Sequence, residues 1–148
     1  MLCQALLPFT LHFRLEPLLS IVTATLRVIE ERGLRRVGLL GTSFTMKSDL
    51  FQRELGPAGI EVLVPDDEKQ EYVQRKIYDE LAIGLFRDET RDGLLDIVKE
   101  MIEHDTIEGL ILGCTELPLI LRKDEFGIPF FDTTRIHAER AVAYCLGG

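Results

Sequence analysis

One pattern occurs twice in this chain and constrains its fold more than any other feature. A short apolar run ends in glycine, and polar residues that open a helix follow at once. The first copy is Arg36-Val37-Gly38-Leu39-Leu40-Gly41, followed by Thr42-Ser43-Phe44-Thr45. The second is Glu108-Gly109-Leu110-Ile111-Leu112-Gly113, followed by Cys114-Thr115-Glu116-Leu117-Pro118. An apolar run with no polar alternation is a strand buried on both faces, which is the habit of parallel sheets. Strand, glycine, hydroxyl residues and helix in that order make the first turn of a βαβ unit.

The rest of the chain fits the same scheme. Leu18 to Arg32 carries apolar residues at Leu19, Val22, Leu26 and Val28/Ile29, near a 3.6-residue period, and Gly33 suits its C-cap. A helix is expected from Thr42 to about Leu55, ended by Gly56, Pro57 and Gly59. Ile60–Val64 reads as the next strand. Val73, Ile77, Leu81 and Leu85 mark one helix, and Leu94, Ile97/Val98, Met101 and Ile102 mark another, with Gly84 and Asp88–Thr90 between them. Pro118 falls in the first turn of a short helix. Ile128–Phe131 is a fourth strand, and Asp132-Thr133-Thr134 caps a last helix running to about Cys145. The expected architecture is a single three-layer α/β domain with a four-stranded parallel sheet and right-handed crossovers. Its ligand edge lies beyond the carboxyl ends of the strands. Gly41–Thr45, Gly113–Glu116 and Asp132–Thr134 would all project from that edge.

Composition narrows the function classes. A chain of 148 residues is sized for one domain, burying roughly 70% of the surface its unfolded form exposes. The net charge of -8 gives no bulk field for nucleic acid. Glu61 to Glu108 holds 15 acidic and 6 basic residues, so the acidity belongs to one central stretch, read as a solvated helical surface. Met1–Leu19 is apolar, but Pro8, His12, Arg14, Glu16 and Pro17 interrupt it short of a membrane span. It also lacks the basic start and cleavage site of a signal peptide. Three cysteines, at 3, 114 and 145, form no CxxC and no even framework, so a reducing cytoplasm is the expected location.

Cys114 is the nucleophile or base candidate. At a strand's carboxyl end and before a helix, amides and the helix dipole favour its thiolate. An inert buried cysteine is the competing reading. Thr42, Ser43, Thr45 and Thr115 offer hydroxyls and amides to a small anion, or serve as helix caps. Glu116 would orient a substrate amine or act on a proton; otherwise it is favourable charge in a first turn. His137, one turn into the last helix, reads as a packed or capping residue rather than a catalyst. His12 and His104 have no partners at ligand spacing, so no metal site is expected. Gly38-x-x-Gly41 is not GxGxxG, and Gly41-Thr42 lacks the P-loop Lys, which argues against dinucleotides and nucleoside triphosphates.

Five ordered motifs then resemble the aspartate/glutamate racemase family, closest to its aspartate-racemase-like branch. They are Gly41-Thr42-x-Phe44-Thr45-Met46, the strand at 59–65, Ile77-Tyr78-Asp79-Glu80-Leu81, Leu112-Gly113-Cys114-Thr115-Glu116 and Phe131-Asp132-Thr133-Thr134-x-Ile136-His137-Ala138-Glu139. The resemblance runs from about Pro17 to the end. It implies cofactor-independent racemisation of an amino acid, an acidic one first, by two cysteines on opposite faces of the α-carbon. Cys114 matches the second cysteine. Thr115 and Thr42–Thr45 match positions that hold the substrate's carboxylate or amine, and Glu116 stands where the glutamate-racemase branch has His. The family has two similar α/β halves, and this chain resembles the second half only. The Cys-Asn-Thr motif of the first half is missing, and Cys3-Gln4-Ala5 does not replace it. A truncated chain, inactive alone, is one expectation, and a non-catalytic half-domain that binds a small anion or amino acid is the alternative. Met1–Glu16 is set apart as an irregular apolar segment: either a stub, or a surface that pairs with a second chain. A homodimer facing Cys114 against Cys114 would restore two thiols. Cys145, late in the last helix, is expected to be structural.

Overall fold

The computed structural model describes residues 20–147. Met1–Glu16, Cys3 and His12 therefore lie outside the described residues. Four strands among the described residues form one sheet: β1 (Arg36–Leu40), β2 (Glu61–Leu63), β3 (Gly109–Leu112) and β4 (Phe130–Asp132). Their order is β2-β1-β3-β4, and every pairing is parallel. Among the described residues seven α-helices accompany them: α1 (Ile21–Glu31), α2 (Ser43–Lys47), α3 (Leu50–Leu55), α4 (Asp67–Asp79), α5 (Asp88–Asp105), α6 (Leu117–Ile120) and α7 (Thr133–Cys145). Short 3₁₀ turns at Gly56–Ala58 and Leu81–Ile83 complete the described elements. The α/β class and the four-stranded parallel sheet agree with the sequence pattern.

Alternation along the strands divides the interior into two cores. Val37 and Leu39 of β1, Ile111 of β3 and Phe131 of β4 face one side, where they meet Val22 and Ile29 of α1 and Phe51 and Leu55 of α3. Leu40 of β1 and Leu110 and Leu112 of β3 face the other, against Val73 and Ile77 of α4, Leu94, Val98 and Met101 of α5, and Leu117 of α6. Both faces of the sheet are covered, which explains the unbroken apolar runs of β1 and β3.

Three local departures from the expected elements have physical causes. The helix after β1 is two helices. Ser48 takes an extended ψ of 152° and its hydroxyl bonds back to the Thr45 carbonyl, breaking the ladder before α3. Similarly, α4 stops at Asp79, and Leu81 lies in the 3₁₀ turn that Gly84 closes at φ +78°. Leu85, expected on a core stripe, is exposed. At the far end of the chain, Cys145 is exposed and not part of either core, contrary to the structural role expected of it.

Candidate active site at the sheet switch point

The connections fix where the site lies. The link from β1 to β2 passes over the α3 face. The links from β2 to β3 and from β3 to β4 pass over the face of α4, α5 and α6. The crossover helices that follow β1 and β3, which are neighbours, therefore lie on opposite faces, although α2 at the start of the first link sets Met46 into the α4–α5 core. A crevice opens at such a reversal, beyond the carboxyl ends of the two strands. The two copies of the sequence pattern end there, at Gly41 and Gly113.

On the β1 side, Thr42 caps α2. Its Oγ1 accepts from the Thr45 amide at 3.4 Å and lies 3.2 Å from Thr45 Oγ1. The Ser43 amide donates to Gln74 Oε1 of α4 at 2.7 Å, while the Ser43 backbone opens the helix. Phe44 stands 82% exposed beside them. On the β3 side, Gly113 is needed for close approach. A Cβ there would lie 3.0 Å from Leu39 Cδ1, 3.1 Å from Thr45 Cγ2 and 3.3 Å from the Leu40 carbonyl oxygen. The absence of that Cβ lets the Thr45 side chain sit against the backbone that leads to Cys114. At the neighbouring strand end, Thr133 Oγ1 donates to the Leu112 carbonyl at 3.0 Å, and Asp132 caps α7 by accepting from the Arg135 amide.

Cys114 is half-buried and packs on the core of the α4–α5 face. Its thiol donates to Glu116 Oε2 at 2.6 Å. Burial first, and then the Glu116 carboxylate, push the thiol up to about 11; the amides of Glu116 and Leu117 pull the other way and lose. The helix-dipole activation expected from sequence is thus reversed. Helix α6 has only four residues, so its aligned dipoles are few, and the nearest charge on the sulfur is negative. Glu116 is held below the usual carboxylate range, chiefly by the thiol's hydrogen bond, with Thr115 adding to it. Thr115 itself is exposed.

The site thus gathers Thr42, Ser43 and Thr45 from one strand end and Cys114, Thr115 and Glu116 from its neighbour. His137 lies half-buried on α7. Sequence reading missed Gln74, whose amide reaches Ser43 across 31 residues with no periodic signal. A cavity of about 410 Å³ opens off β4, lined by Leu112, Pro118, Phe131, Asp132, Lys123 and Arg135 among others, but not by Cys114. No group of three or more His, Cys, Asp or Glu that could hold a metal ion occurs among the described residues. No helix among them is long and apolar enough to cross a membrane.

This geometry defines a doubly wound α/β domain with a thiol–carboxylate pair at its switch point. The model of the Asp/Glu/Hydantoin racemase family matches residues 15–141, and the chain belongs to that family. The crystal structure of a candidate Asp/Glu racemase from Yersinia pestis is 39% identical and superposes with a TM-score of 0.77 over 86% of this chain and 56% of that one. An aspartate racemase homologue from Pyrococcus horikoshii OT3 is 38% identical, with a TM-score of 0.76 over 84% of this chain and 54% of that one. Glutamate racemase of Aquifex aeolicus is 30% identical over 116 residues, 71% of this chain and 39% of the relative. The chain spans little more than half the length of these solved structures.

Proposed function

We propose that this chain contributes one half of a cofactor-independent amino-acid racemase site, with Cys114 as one of two sulfur acid/base groups at the substrate α-carbon. The observation that carries the reading is the Cys114–Glu116 pair beside the Thr42–Thr45 helix start, on adjacent strand ends of a family member. Racemisation without an electron sink needs a proton acceptor on one face of the α-carbon, a donor on the other, and fixed donors to the carboxylate. Thr42, Ser43, Thr45 and Thr115 supply hydroxyls for the carboxylate and amine, the Ser43 and Thr45 amides being already bonded to Gln74 and Thr42. The names of the relatives, glutamate racemase and aspartate racemase homologue, favour an acidic amino acid.

The second sulfur comes, on this reading, from Cys114 of a second copy set face to face across the edge. A free thiol in this role suits a cytoplasmic location. In such a dimer both thiols start protonated, so one must ionise before the other can donate, and turnover rises with pH toward about 11. The test is α-proton exchange of D- and L-aspartate in D₂O, followed by NMR, with the oligomeric state measured alongside. Exchange that disappears in Cys114→Ala is the expected result. A well-folded dimer with no exchange at any pH up to 10 overturns the catalytic reading. A non-catalytic binding half-domain is the second reading, favoured by the protonated resting state of Cys114. It predicts thermal stabilisation by aspartate without exchange.

A further inference from the structure

The chemistry expected of a sulfur base is a thiolate, and the local structure opposes one. We infer that Glu116 is a positioning residue: its carboxylate, 2.6 Å from the Cys114 sulfur, fixes the thiol proton in place, so that of two opposed copies the one whose thiol stays protonated enters the reaction as the proton donor.

Three observations carry this. Glu116 stands at the N-cap position of α6 yet makes no side-chain cap, because its carboxylate is turned to the sulfur. The thiol is half-buried against the apolar core of the α4–α5 face, which raises the cost of charging it. The charges around it leave Glu116 in control. On the α2 side the neutral Thr45 packs against Gly113, next to Cys114, and the cation of that helix, Lys47, is exposed. Gln74 of α4, which accepts from the Ser43 amide, is neutral. Asp132, at the start of α7, is committed to the Arg135 amide. The raised titration of the thiol agrees with this arrangement.

The step balances simply. The ionised sulfur of the opposing copy first takes the α-proton into an S–H bond and leaves the C–H electron pair on carbon; on the copy still protonated the S–H bond then breaks, its electron pair stays on sulfur, and the proton joins the α-carbanion to form the new C–H bond. The thiolate left behind then faces Glu116 and is the base for the opposite enantiomer, as reversibility requires. This inference rests on the racemase reading only for the proton's destination. The protonation state of Cys114 and its dependence on Glu116 can be measured without turnover.

The experiment is the pH profile of iodoacetamide alkylation, read at the Cys114 peptide by mass spectrometry, on the full chain as wild type, Glu116→Gln and Glu116→Asp. Far-UV circular dichroism checks that each is folded. Wild-type Cys114 should react slowly until the pH approaches 11. Replacing the carboxylate by an amide removes the repulsion but not the burial, so the thiol returns part of the way toward its ordinary 9.0, and the rate at pH 8 rises by roughly threefold once the lower nucleophilicity of a more acidic thiol is allowed for. Glu116→Asp keeps the charge and should stay slower than Glu116→Gln. A wild-type profile with its midpoint below pH 9 overturns the inference even if a variant fails to fold, and so does a Glu116→Gln profile that overlays the wild type. A chain that titrates as expected but exchanges no α-proton defeats the racemase reading and leaves the role of Glu116 standing.

Discussion

Cys114 carries two opposing demands. Packed on a core it behaves as a small apolar group, while at a strand end it lies where chemistry happens. The raised thiol pKa links the site to stability. A group whose folded pKa lies above its unfolded value contributes stability that is fully present below the unfolded pKa. That stability is lost as the pH rises through the folded one. For Cys114 the window runs from about 9 to about 11. Cys114→Ala removes the effect, so its melting temperature should fall less than the wild type's between pH 8 and pH 10.5. The check is the difference between the two melting curves across that range, which cancels the shared titration of Tyr and Lys. A constant difference means that the sulfur does not ionise in a buried position. Cys114 as a candidate was legible in the sequence, but the direction of its titration was not. Motif position suggested helix-dipole activation, whereas the outcome depends on burial and on where the Glu116 carboxylate turns, and only packing decides those.

At the level of elements, local pattern located the strands within one or two residues, because runs such as Leu110-Ile111-Leu112 have no other place to be buried. It was blind to breaks made by single polar contacts, such as Ser48 between α2 and α3. Glu80 is the clearest case. Periodicity passes straight over it from Ile77 to Leu81, yet it ends α4 and ties the turn to α5. Its carboxylate accepts from Lys76 and from the Thr90 hydroxyl, its carbonyl accepts from the Ile83 and Leu85 amides, and it is only 7% exposed. The Lys76 ammonium, then the Thr90 hydroxyl, hold its pKa below the ordinary carboxylate range. A depressed pKa contributes stability above the unfolded value, and that stability is lost as pH falls through the folded one. Glu80→Gln should cost about 1–3 kcal/mol at pH 7, since it weakens a buried, charge-assisted pair of hydrogen bonds. The gap to wild type should narrow as the pH falls below the ordinary carboxylate range and close only once the folded carboxyl, held below that range, also protonates. Urea denaturation of both proteins at pH 7 and pH 3.5 measures it.

For the molecule as a whole, the sheet is the shared wall of two cores, and the site sits where the chain changes faces. The order β2-β1-β3-β4 follows from crossover handedness once the face of each helix is known, but the faces come from tertiary packing and not from any one segment's period. One wall with two cores has a measurable consequence. Leu39 points into the core of α1 and α3, Leu110 into the core of α4 and α5, and both are fully buried. Leu39→Ala and Leu110→Ala should each destabilise by about 2–5 kcal/mol, through lost burial and the cavity left behind. Because β1 and β3 are hydrogen-bonded neighbours in register from Val37↔Gly109 to Leu40↔Leu112, neither core can open without unzipping the other's strands. Both variants should therefore shift a single urea transition, with circular dichroism and alkylation of the half-buried Cys114 reporting the same midpoint. If Leu39→Ala moves the dichroism midpoint while Cys114 stays protected to wild-type urea, the two faces unfold separately. The strand ends that position the thiol would then belong to the α4–α5 core alone.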